Sequence, residues 1–563
     1  MSSIGLQPLF SFSSGLSGVK RFLHPWVVGL LVISVLLAIP LVCILMSVFV
    51  DSGDVWRHLI DTVLSSYVLN SLALVLGVGV LVLMLGIAPA WLITMYRFPF
   101  NKTLSWALLL PLAMPAYIIA YTYTGLLDVA GPLQIGLREF LNLEYGDYWF
   151  PEVRSLGGAI CMLSLVLYPY VYLLSRAAFL EQSVCVLEVS RTLGCGPYRS
   201  FYKVGLPLAR PAIVAGLSLV MMETLADYGT VQYFGVATFT TGIFRTWFGL
   251  GNTVAAAQLS ALLLTFVFAL VLLEAWSRRQ AKYHHTSNRY STLTQKRLQG
   301  FNMIAAISVC LFPVFFGFLI PATQLFIWAR QTWSSVIQKD FLSLIGHSVE
   351  LAAMAAFFAL VLALFIAYGN RLLANPLTRF LARFLGLGYA IPGTVVAVGV
   401  LIPFAWVDNN IDGWARTNMD LSTGLLFSGT VFTLIFAYMV RFLPVALNTV
   451  EAGLTKIRPS MDEAGRSMGM NSIKMMRKVH IPMLRGSLFT ASLLVFVDVL
   501  KELPATLILR PFNFNTLAIR TYELANEERL ADAANPALAI VLVGIIPVII
   551  LSRSISRARP GHE

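Results

Sequence analysis

The chain has 563 residues, of which 58% are hydrophobic and only 12% are charged. Soluble domains carry about a quarter charged residues, so this composition excludes a water-soluble globule and indicates an integral membrane protein. The net charge of +12 would suit a nucleic-acid partner, but the basic residues lie in the loops between apolar runs, where they indicate membrane topology instead and remove the case for nucleic acid.

Apolar runs of membrane-spanning length follow one another along the whole chain, six on each side of a polar segment. In chain order they are Trp26–Val50, Tyr67–Tyr96, Leu104–Leu127, Ser155–Leu174, Pro211–Tyr228, Thr253–Trp276, Phe301–Ala329, Val349–Tyr368, Phe384–Trp406, Gly424–Leu447, Ser487–Leu503 and Ala533–Leu551. The predicted fold class is an all-α integral membrane protein with about twelve transmembrane helices.

Lysine and arginine concentrate in every second loop. The basic segments are 97–102, 191–210, 278–297, 371–383, 466–485 and 553–559, while acidic residues occupy the alternate loops around 51–61, 139–152 and 408–420. Because cytoplasmic loops carry the excess of basic residues, the pattern places the basic loops and both termini in the cytoplasm.

Two polar segments between spans share one pattern. In the first, Glu188 precedes Gly194 by six residues and Gly194 precedes Pro207 by thirteen; in the second, Glu463, Gly469 and Pro482 repeat both spacings. Each segment predicts a helix, a glycine stop and a second short helix closed by the proline. A polar helix-turn-helix repeated between spans favours a cytoplasmic docking element over an ordinary amphipathic interfacial helix.

The repeat extends far beyond these segments. Positions 275 apart match at Pro169 and Pro444, Arg210 and Arg485, Asp227 and Glu502, Thr241 and Thr516, and Arg245 and Arg520; upstream the offset becomes 277, as for Ser71 and Ser348 or Pro115 and Pro392. The chain is therefore predicted to be two tandem six-span units in one orientation, related by a pseudo-two-fold axis along the membrane normal with the pathway between them.

The corresponding domains are a cytoplasmic N-terminal segment 1–25, a first unit 26–277, a basic linker 278–300, a second unit 301–552 and a cytoplasmic tail 553–563. The two polar segments, 183–207 and 458–482, are called here the first and second polar loops.

The polar loops resemble the cytoplasmic loop signature of ABC importer permeases, in which a Glu-Ala-Ala triplet is followed by a spaced glycine and Leu-Pro. The second loop, beginning Glu463-Ala464, matches better than the first, which has Val189-Ser190 at the two alanines. The resemblance implies that Glu188, Gly194, Pro207, Glu463, Gly469 and Pro482 couple the chain to two copies of a cytoplasmic ATPase, whose closure swings the two halves between inward and outward access.

The sequence has no Gly-x-x-x-x-Gly-Lys phosphate-binding loop. By the resemblance, ATP and Mg²⁺ therefore belong to the separate ATPase subunits, and this chain is a transport subunit, not an enzyme, with no cofactor of its own. The resemblance also implies a periplasmic or lipid-anchored solute-binding protein, contact with membrane lipid, and a location in the bacterial inner (plasma) membrane.

Carboxylates end the fifth span of each half: Glu223 and Asp227 in the first, Asp498 and Glu502 in the second. Each pair is spaced i, i+4 on one helix face, in the outer half of the bilayer. Because intramembrane acids mark transport pathways, these four and Tyr228 are pathway candidates that line the outer entrance, with transient rather than stable metal contact. The alternative is structural: each acid caps a helix or pairs with Lys501, Arg245, Arg510 or Arg520.

The segments Glu223–Gly235, Phe239-Thr240-Thr241 and Lys501–Thr506 resemble the fused iron(III) permeases of bacterial ABC importers. The resemblance implies ferric iron as cargo, whereas the residues alone indicate only a cationic or polar cargo. Two alternatives remain: a permease for another solute, such as a phosphonate, a polyamine or thiamine, and a secondary transporter that uses the carboxylates for protons.

Three smaller features each have two interpretations. Pro111, Pro115 and Pro392 fall inside spans, as gating hinges or inert kinks. The aromatic segment Tyr233–Phe248 is a re-entrant loop or part of an aromatic belt. The histidines His347 and His480 lack sequence partners and are interpreted as polar surface residues rather than metal ligands.

Overall fold

The computed structural model describes residues 25–144, 146–181, 196–279, 295–336, 339–373 and 375–557. The first half contains α1 (Pro25–Ser47), α2 (Asp54–Thr62), α3 (Leu64–Met95), α4 (Asn101–Ala107), α5 (Ala116–Leu127), α6 (Pro132–Leu141), α7 (Leu156–Glu181), α8 (Pro197–Ser200), α9 (Leu206–Ala226), α10 (Gly229–Tyr233), α11 (Phe239–Phe244) and α12 (Thr253–Arg279).

The second half contains α13 (Gly300–Val314), α14 (Ile320–Val336), α15 (Lys339–Leu373), α16 (Pro376–Leu385), α17 (Gly393–Met419), α18 (Val431–Leu454), α19 (Pro459–Ser467), α20 (Ser472–Met475), α21 (Ile481–Leu500), α22 (Pro504–Leu509), α23 (Leu517–Asn526) and α24 (Leu530–Arg557). Short 3₁₀ turns lie at Leu110–Ala113 and Gly388–Ala390, and two-residue strands, β1 (Tyr96–Arg97) and β2 (Lys296–Arg297), pair in parallel.

The number of spans agrees with the sequence prediction. Eleven helices in the described ranges are long and apolar enough to cross a membrane, and the bent pair Asn101–Ala113 and Ala116–Leu141 raises the number to twelve. Long apolar helices satisfy all their backbone hydrogen bonds internally, as a bilayer requires. The chain is thus an all-α membrane protein.

Proline breaks one span in each half at repeat-related positions. Pro115 is the N-cap of α5 and Pro392 is the N-cap of α17, and each follows a residue in extended conformation. In the first half the segments flanking the break meet at 92°. Because proline disfavours the helical conformation of the residue before it, the prolines begin new helices here instead of kinking continuous ones.

The two halves are interlocked by their outer helices. One buried apolar cluster combines α3, α5, α7 and α9 of the first half with α13, α14 and α24 of the second. The other combines α15, α17, α18 and α21 of the second half with α1 and α12 of the first. The first unit therefore adds α1 and α12 to the core of the second unit, and the second unit adds α13, α14 and α24 to the core of the first.

A π-helical turn precedes the proline of each polar loop. The turns are Phe201–Gly205 and Met476–His480, and each ends two residues before Pro207 or Pro482. Both prolines lie in the first turn of α9 and α21, so the predicted short helix closed by proline was wrong: the helix continues into the span. The wider turn accommodates a residue that has no N–H and whose ring clashes with the carbonyl four residues earlier.

Candidate functional site

Asp227 and Glu502 lie just after the ends of α9 and α21 and cap the short helices that follow. The backbone N–H groups of Thr230 and Val231 both donate to Asp227 Oδ2 at 3.1 Å. In the second half the N–H of Ala505 donates to Glu502 Oε1 at 2.8 Å. Carboxylates at helix N-termini satisfy otherwise unpaired donors, so the repeat conserves one local design in both halves.

Glu502 has a second partner, Arg441 on α18. The guanidinium Nη1 donates to Glu502 Oε1 at 3.0 Å, and the two side chains are 10% and 1% exposed. The backbone N–H and hydroxyl of Thr506 also donate to Glu502 Oε2. A buried carboxylate with a cation and several donors is fully compensated, so Glu502 is held rigidly.

Asp227 lacks the corresponding cation. The first-half position equivalent to Arg441 is Val166, and within the described ranges Asp227 forms no ion pair. Its side chain accepts hydrogen bonds only from Thr230 and Val231. The two repeat-related acids therefore differ in charge balance, although both are helix caps.

Glu223 and Asp498 are the second repeat-related pair of acids. Asp498 Oδ1 accepts from Lys501 Nζ at 2.9 Å, while Glu223 faces Tyr389 from the other half of the chain. The sequence-based alternative that the acids pair or cap is thus observed for Asp227, Asp498 and Glu502. Of the cations proposed for that role only Lys501 is used; Arg441 takes the place expected for Arg245, Arg510 or Arg520.

All four acids line one cavity between the halves. This acid cavity has a volume of about 130 Å³ and is also lined by the cationic side chains of Arg441 and Lys501. A larger cavity of about 610 Å³ lies next to it, nearer the ends of α9 and α21 that join the polar loops, and is called here the loop-side cavity. Among the described residues, no three His, Cys, Asp or Glu side chains are placed to hold a metal ion together.

Tyr228 is a wall residue of the acid cavity. It is 4% exposed and stacks on Phe244 with ring centroids 4.4 Å apart. Tyr522, in the equivalent region of the second half, lies 6.0 Å away by the same measure. The aromatic segment Tyr233–Phe248 is largely buried against the bundle, which favours the re-entrant interpretation over an aromatic belt.

A pair of short helices follows each acid, and similar contacts anchor both pairs. The Ser71 hydroxyl accepts from the N–H of Phe239, and the Ser348 hydroxyl accepts from that of Leu517. Thr238 and Thr516 are the N-caps of α11 and α23, which makes the structural offset 278. The match of Thr241 with Thr516 at offset 275 was therefore wrong, because the loop before α23 is longer.

The second polar loop has the predicted helix-turn-helix form. The N–H of Gly469 donates to the carbonyl of Arg466 and that of Met470 to the carbonyl of Gly465, which is the paired hydrogen-bonding arrangement of a glycine helix stop. Gly469 has φ of +71°, as expected for that role. Asn471 caps α20 by accepting from the N–H of Lys474.

The second polar loop exposes two methionines beside its glutamate. Glu463 is exposed on α19, and Met461 and Met468 beside it are 43% and 68% exposed. In the first polar loop, Glu188 and Gly194 lie outside the described residues, and only Pro207 can be placed. The coupling role of these residues therefore stays a prediction.

An ionic network fastens the second polar loop to α15. Asp462 accepts from Arg371 at 2.9 Å and lies 2.7 Å from His480 Nε2, and Arg371 also donates to the carbonyls of Leu454 and Ile457. Burial alone would raise the pKa of Asp462, but these donors hold that pKa below its usual range. The interpretation of His480 as a surface residue was wrong: it is 1% exposed and paired.

Three residues of this region escaped the sequence analysis: Arg441, Tyr170 and Tyr389. Arg441 stands alone in an otherwise apolar run, which is a signal, since an intramembrane cation requires a partner. The tyrosines carry no such signal, because aromatic residues are common in spans. They become noticeable only when the fold places both of them beside Glu223 and Asp498.

The family described as binding-protein-dependent transport system inner membrane component matches residues 82–282 and 357–559, which together exceed half of the chain. The chain belongs to this family. Its permeases are transporter subunits and not enzymes, and they work with an ATPase and a binding protein. The two matched segments begin 275 residues apart, the same offset that relates Glu223 to Asp498.

Three curated relatives illustrate the range of the family. This permease is 26% identical to the Fe(3+)-transport system permease protein FbpB 2 of Haemophilus influenzae, over 86% of this chain and 89% of that one. It is 22% identical to the ferric transport system permease protein FbpB of Actinobacillus pleuropneumoniae, over 92% and 76%. It is 26% identical to the molybdenum transport system permease protein ModB of Escherichia coli, over 39% of this chain and 93% of that one.

The lengths of these matches bear on architecture. The ferric relatives match across both halves of the permease, whereas the molybdenum relative matches little more than one third of it. The permease is therefore a fused, two-unit member of the family and a multi-pass membrane protein, as the internal repeat predicted.

Proposed function

We propose that this permease is the membrane-spanning subunit of an ATP-driven importer of ferric iron. Two ATPase subunits bind the two polar loops from the cytoplasm, and a solute-binding protein delivers the ion on the opposite side. Closure of the ATPase pair moves the loops and opens the acid cavity alternately toward each side of the membrane.

The second polar loop has the properties of a docking element. Its helix α19 carries the exposed side chains of Glu463 and Met461, and Met468, directly after the helix, is also exposed. Exposed methionines are over-represented at protein-binding surfaces. The same loop is tied through Asp462 to Arg371 at the end of α15, so that a force on α19 reaches the spans directly.

A continuous helix links this loop to the acids. The segment Ser472–Leu500 begins in the polar loop and ends next to Lys501 and Glu502, and the corresponding segment Tyr198–Ala226 ends next to Asp227. Helices transmit rigid-body displacements over their length. Movement of the loops would therefore displace the residues that line the acid cavity.

The charge of the acid cavity favours a cation. Its lining includes four carboxylates and two cationic side chains, an excess of two negative charges when all are ionised. Such a cavity repels oxyanions, whereas hard trivalent cations prefer oxygen donors such as carboxylates and tyrosine hydroxyls. Tyr117, in the same wall, has a buried hydroxyl with no hydrogen-bond partner among the described residues.

The relatives support the same choice of cargo. Of the three relatives described above, the two that match across both halves are named for ferric transport and the one named for molybdenum matches a single unit; a further full-length relative, of Sinorhizobium fredii, is named only as a probable ABC transporter permease. Because no three of the acids among the described residues are placed to hold a metal ion together, the ion would make transient contacts there, which permits release. One observation supports the whole proposal best: repeat-related carboxylates from both halves converge in one cavity, at the ends of helices that begin in the polar loops.

The test is uptake by the complete transporter. Proteoliposomes containing the permease, its ATPase and its ferric-loaded binding protein should accumulate ⁵⁵Fe³⁺ only when ATP is present. Excess unlabelled ferric iron should compete, and molybdate should not. Uptake without the ATPase would contradict the class of transporter, and ATP-driven uptake of molybdate or of an organic solute in place of iron would contradict the cargo.

A further inference from the structure

The acid cavity and the loop-side cavity adjoin each other and share part of their lining. The residues that line both are Leu112, Tyr170, Tyr389, Asp498 and Lys501, and they are called here the neck. Leu112 and Tyr389 are repeat-related at offset 277, so both halves contribute one neck residue from the segment preceding the broken span. A solute that passes between the cavities must pass this neck.

Lys501 neutralises the carboxylate of Asp498 in the neck. Its ammonium group lies 2.9 Å from Asp498 Oδ1, with 29% of the side chain exposed. Glu223 and Tyr170 also lie within electrostatic reach of it. The repeat-related residue of the first half is Ala226, so the neck contains one ammonium group and not two.

A pathway rich in carboxylates has a problem that is independent of its cargo. Sodium and potassium ions are attracted to the same four acids and vastly outnumber any trace metal in a cell. In a low-dielectric passage an uncompensated carboxylate attracts cations strongly, and an ammonium group beside it cancels that attraction. Some pores exclude cations with a positive side chain at a constriction.

We propose that Lys501, by neutralising Asp498 in the neck, prevents passive leak of monovalent cations through the resting permease. Asp498 holds the ammonium in the neck, and Tyr170 and Tyr389 narrow the passage around it. The inference rests on the proposed function in one respect, that the cavities form the transport pathway. It requires no particular cargo.

The experiment measures passive flux of ⁸⁶Rb⁺ into proteoliposomes that contain the permease and its ATPase without ATP. The wild type should match protein-free liposomes, and Lys501→Met should raise the initial influx at least about tenfold, as expected when the barrier falls by about 1.4 kcal/mol. Lys501→Arg, which keeps the charge, should stay at background. So should Lys102→Met, which removes an exposed lysine outside the neck.

A chemical version separates charge from folding within one protein sample. In a chain whose five natural cysteines are replaced, Lys501→Cys should leak. A thiol reagent that carries a trimethylammonium group should then return the influx to background. A thiol reagent that adds a small uncharged group to the same cysteine should leave the influx raised.

The assignment would be overturned if Lys501→Met showed only background ⁸⁶Rb⁺ influx while its elution volume and melting temperature stayed unchanged. Equal leak in Lys501→Arg, or equal effects of the two thiol reagents, would also overturn it, because charge would then be irrelevant. These fluxes are read without ATP and without cargo. If the wild type fails to import ferric iron but Lys501 still controls leak, the proposed cargo is wrong and the role of Lys501 in preventing leak stands.

Discussion

Glu502 accepts a hydrogen bond from Arg441 at 3.0 Å, whereas its repeat-related partner Asp227 forms no ion pair with any residue that the structure describes. The difference arises from a single position, since Val166 stands in the first half where Arg441 stands in the second. Both acids cap a short helix, so the duplicated scaffold is preserved while the charge of the two halves has diverged. The cavity between them is consequently asymmetric.

Removal of Arg441 should strongly destabilise the permease. Arg441→Met leaves the carboxylate of Glu502 buried without its cation, which typically costs about 3–5 kcal/mol. The midpoint of thermal unfolding in detergent should fall accordingly. The double variant Arg441→Met with Glu502→Gln removes both charges and should recover most of that loss, and additive losses in the double variant would contradict a direct pairing.

The two capping acids should respond differently to conversion to amides. Asp227→Asn keeps an oxygen acceptor for the N–H groups of Thr230 and Val231, so the fold should survive. Glu502→Gln removes an acceptor and also leaves Arg441 uncompensated, so it should lower the melting temperature clearly more than Asp227→Asn does.

Asp227→Asn is therefore the better probe of the pathway. If the Asp227 charge guides the cation, ferric uptake should fall severalfold while the ATPase activity of the complex persists. The double variant of Asp227→Asn and Glu502→Gln should impair uptake further. Wild-type uptake by Asp227→Asn would show that this acid is only a helix cap.

Substitution of Gly469 should uncouple the second polar loop. Its φ of +71° is unfavourable for other residues, and an added Cβ would meet no atom within 4 Å, so the penalty is backbone strain alone. Gly469→Val should cost about 1–2 kcal/mol locally. We expect normal membrane insertion with reduced stimulation of the ATPase by cargo.

Asparagine tolerates the left-handed conformation, so Gly469→Asn should retain more of the stimulation than Gly469→Val. Adding a matching change at Gly194 should deepen the loss if both loops bind ATPase subunits. Normal cargo-stimulated hydrolysis in the Gly194 and Gly469 double variant would contradict coupling through these turns.

The architecture followed from the sequence because its signals are periodic and long. Span number, the duplication and the helix stop at Gly469 depend on apolar length, fixed offsets and the conformational freedom of glycine, which tertiary contacts rarely override. The helix boundary at Pro482 was mistaken because a π turn before the proline allows the helix to continue. Helix-ending rules read from the local sequence do not predict a π turn that makes room for the proline ring.

The contacts between side chains inside the acid cavity could be predicted less well from the sequence. The acids stood out, but their partners did not, because Arg441 and Tyr389 are distant from Glu502 and Glu223 along the chain. The same holds for His480, whose partner Asp462 lies on another helix. Pairing of buried groups is decided by packing, which the linear pattern does not contain.

The network at Asp462 makes the second polar loop sensitive to acid. The pKa of Asp462 is lower in the folded protein than in the unfolded chain, because the donors Arg371 and His480 outweigh the effect of burial. A carboxyl of this kind stabilises the fold fully above its unfolded pKa, and the contribution is lost as the pH falls through its folded pKa. The stabilisation should therefore be constant near neutrality and decline only below about pH 4.

The measurement compares the melting temperature of the wild type with that of Asp462→Asn over a range of pH. The difference should be present between pH 7 and about pH 5, and it should narrow below about pH 4 as the wild-type carboxyl is protonated. Asp54→Asn, whose side chain is 100% exposed, supplies the matched control and should show little difference at any pH. The absence of a difference between the wild type and Asp462→Asn from pH 7 to about pH 5 would contradict a stabilising role for the carboxylate and its contacts with Arg371 and His480.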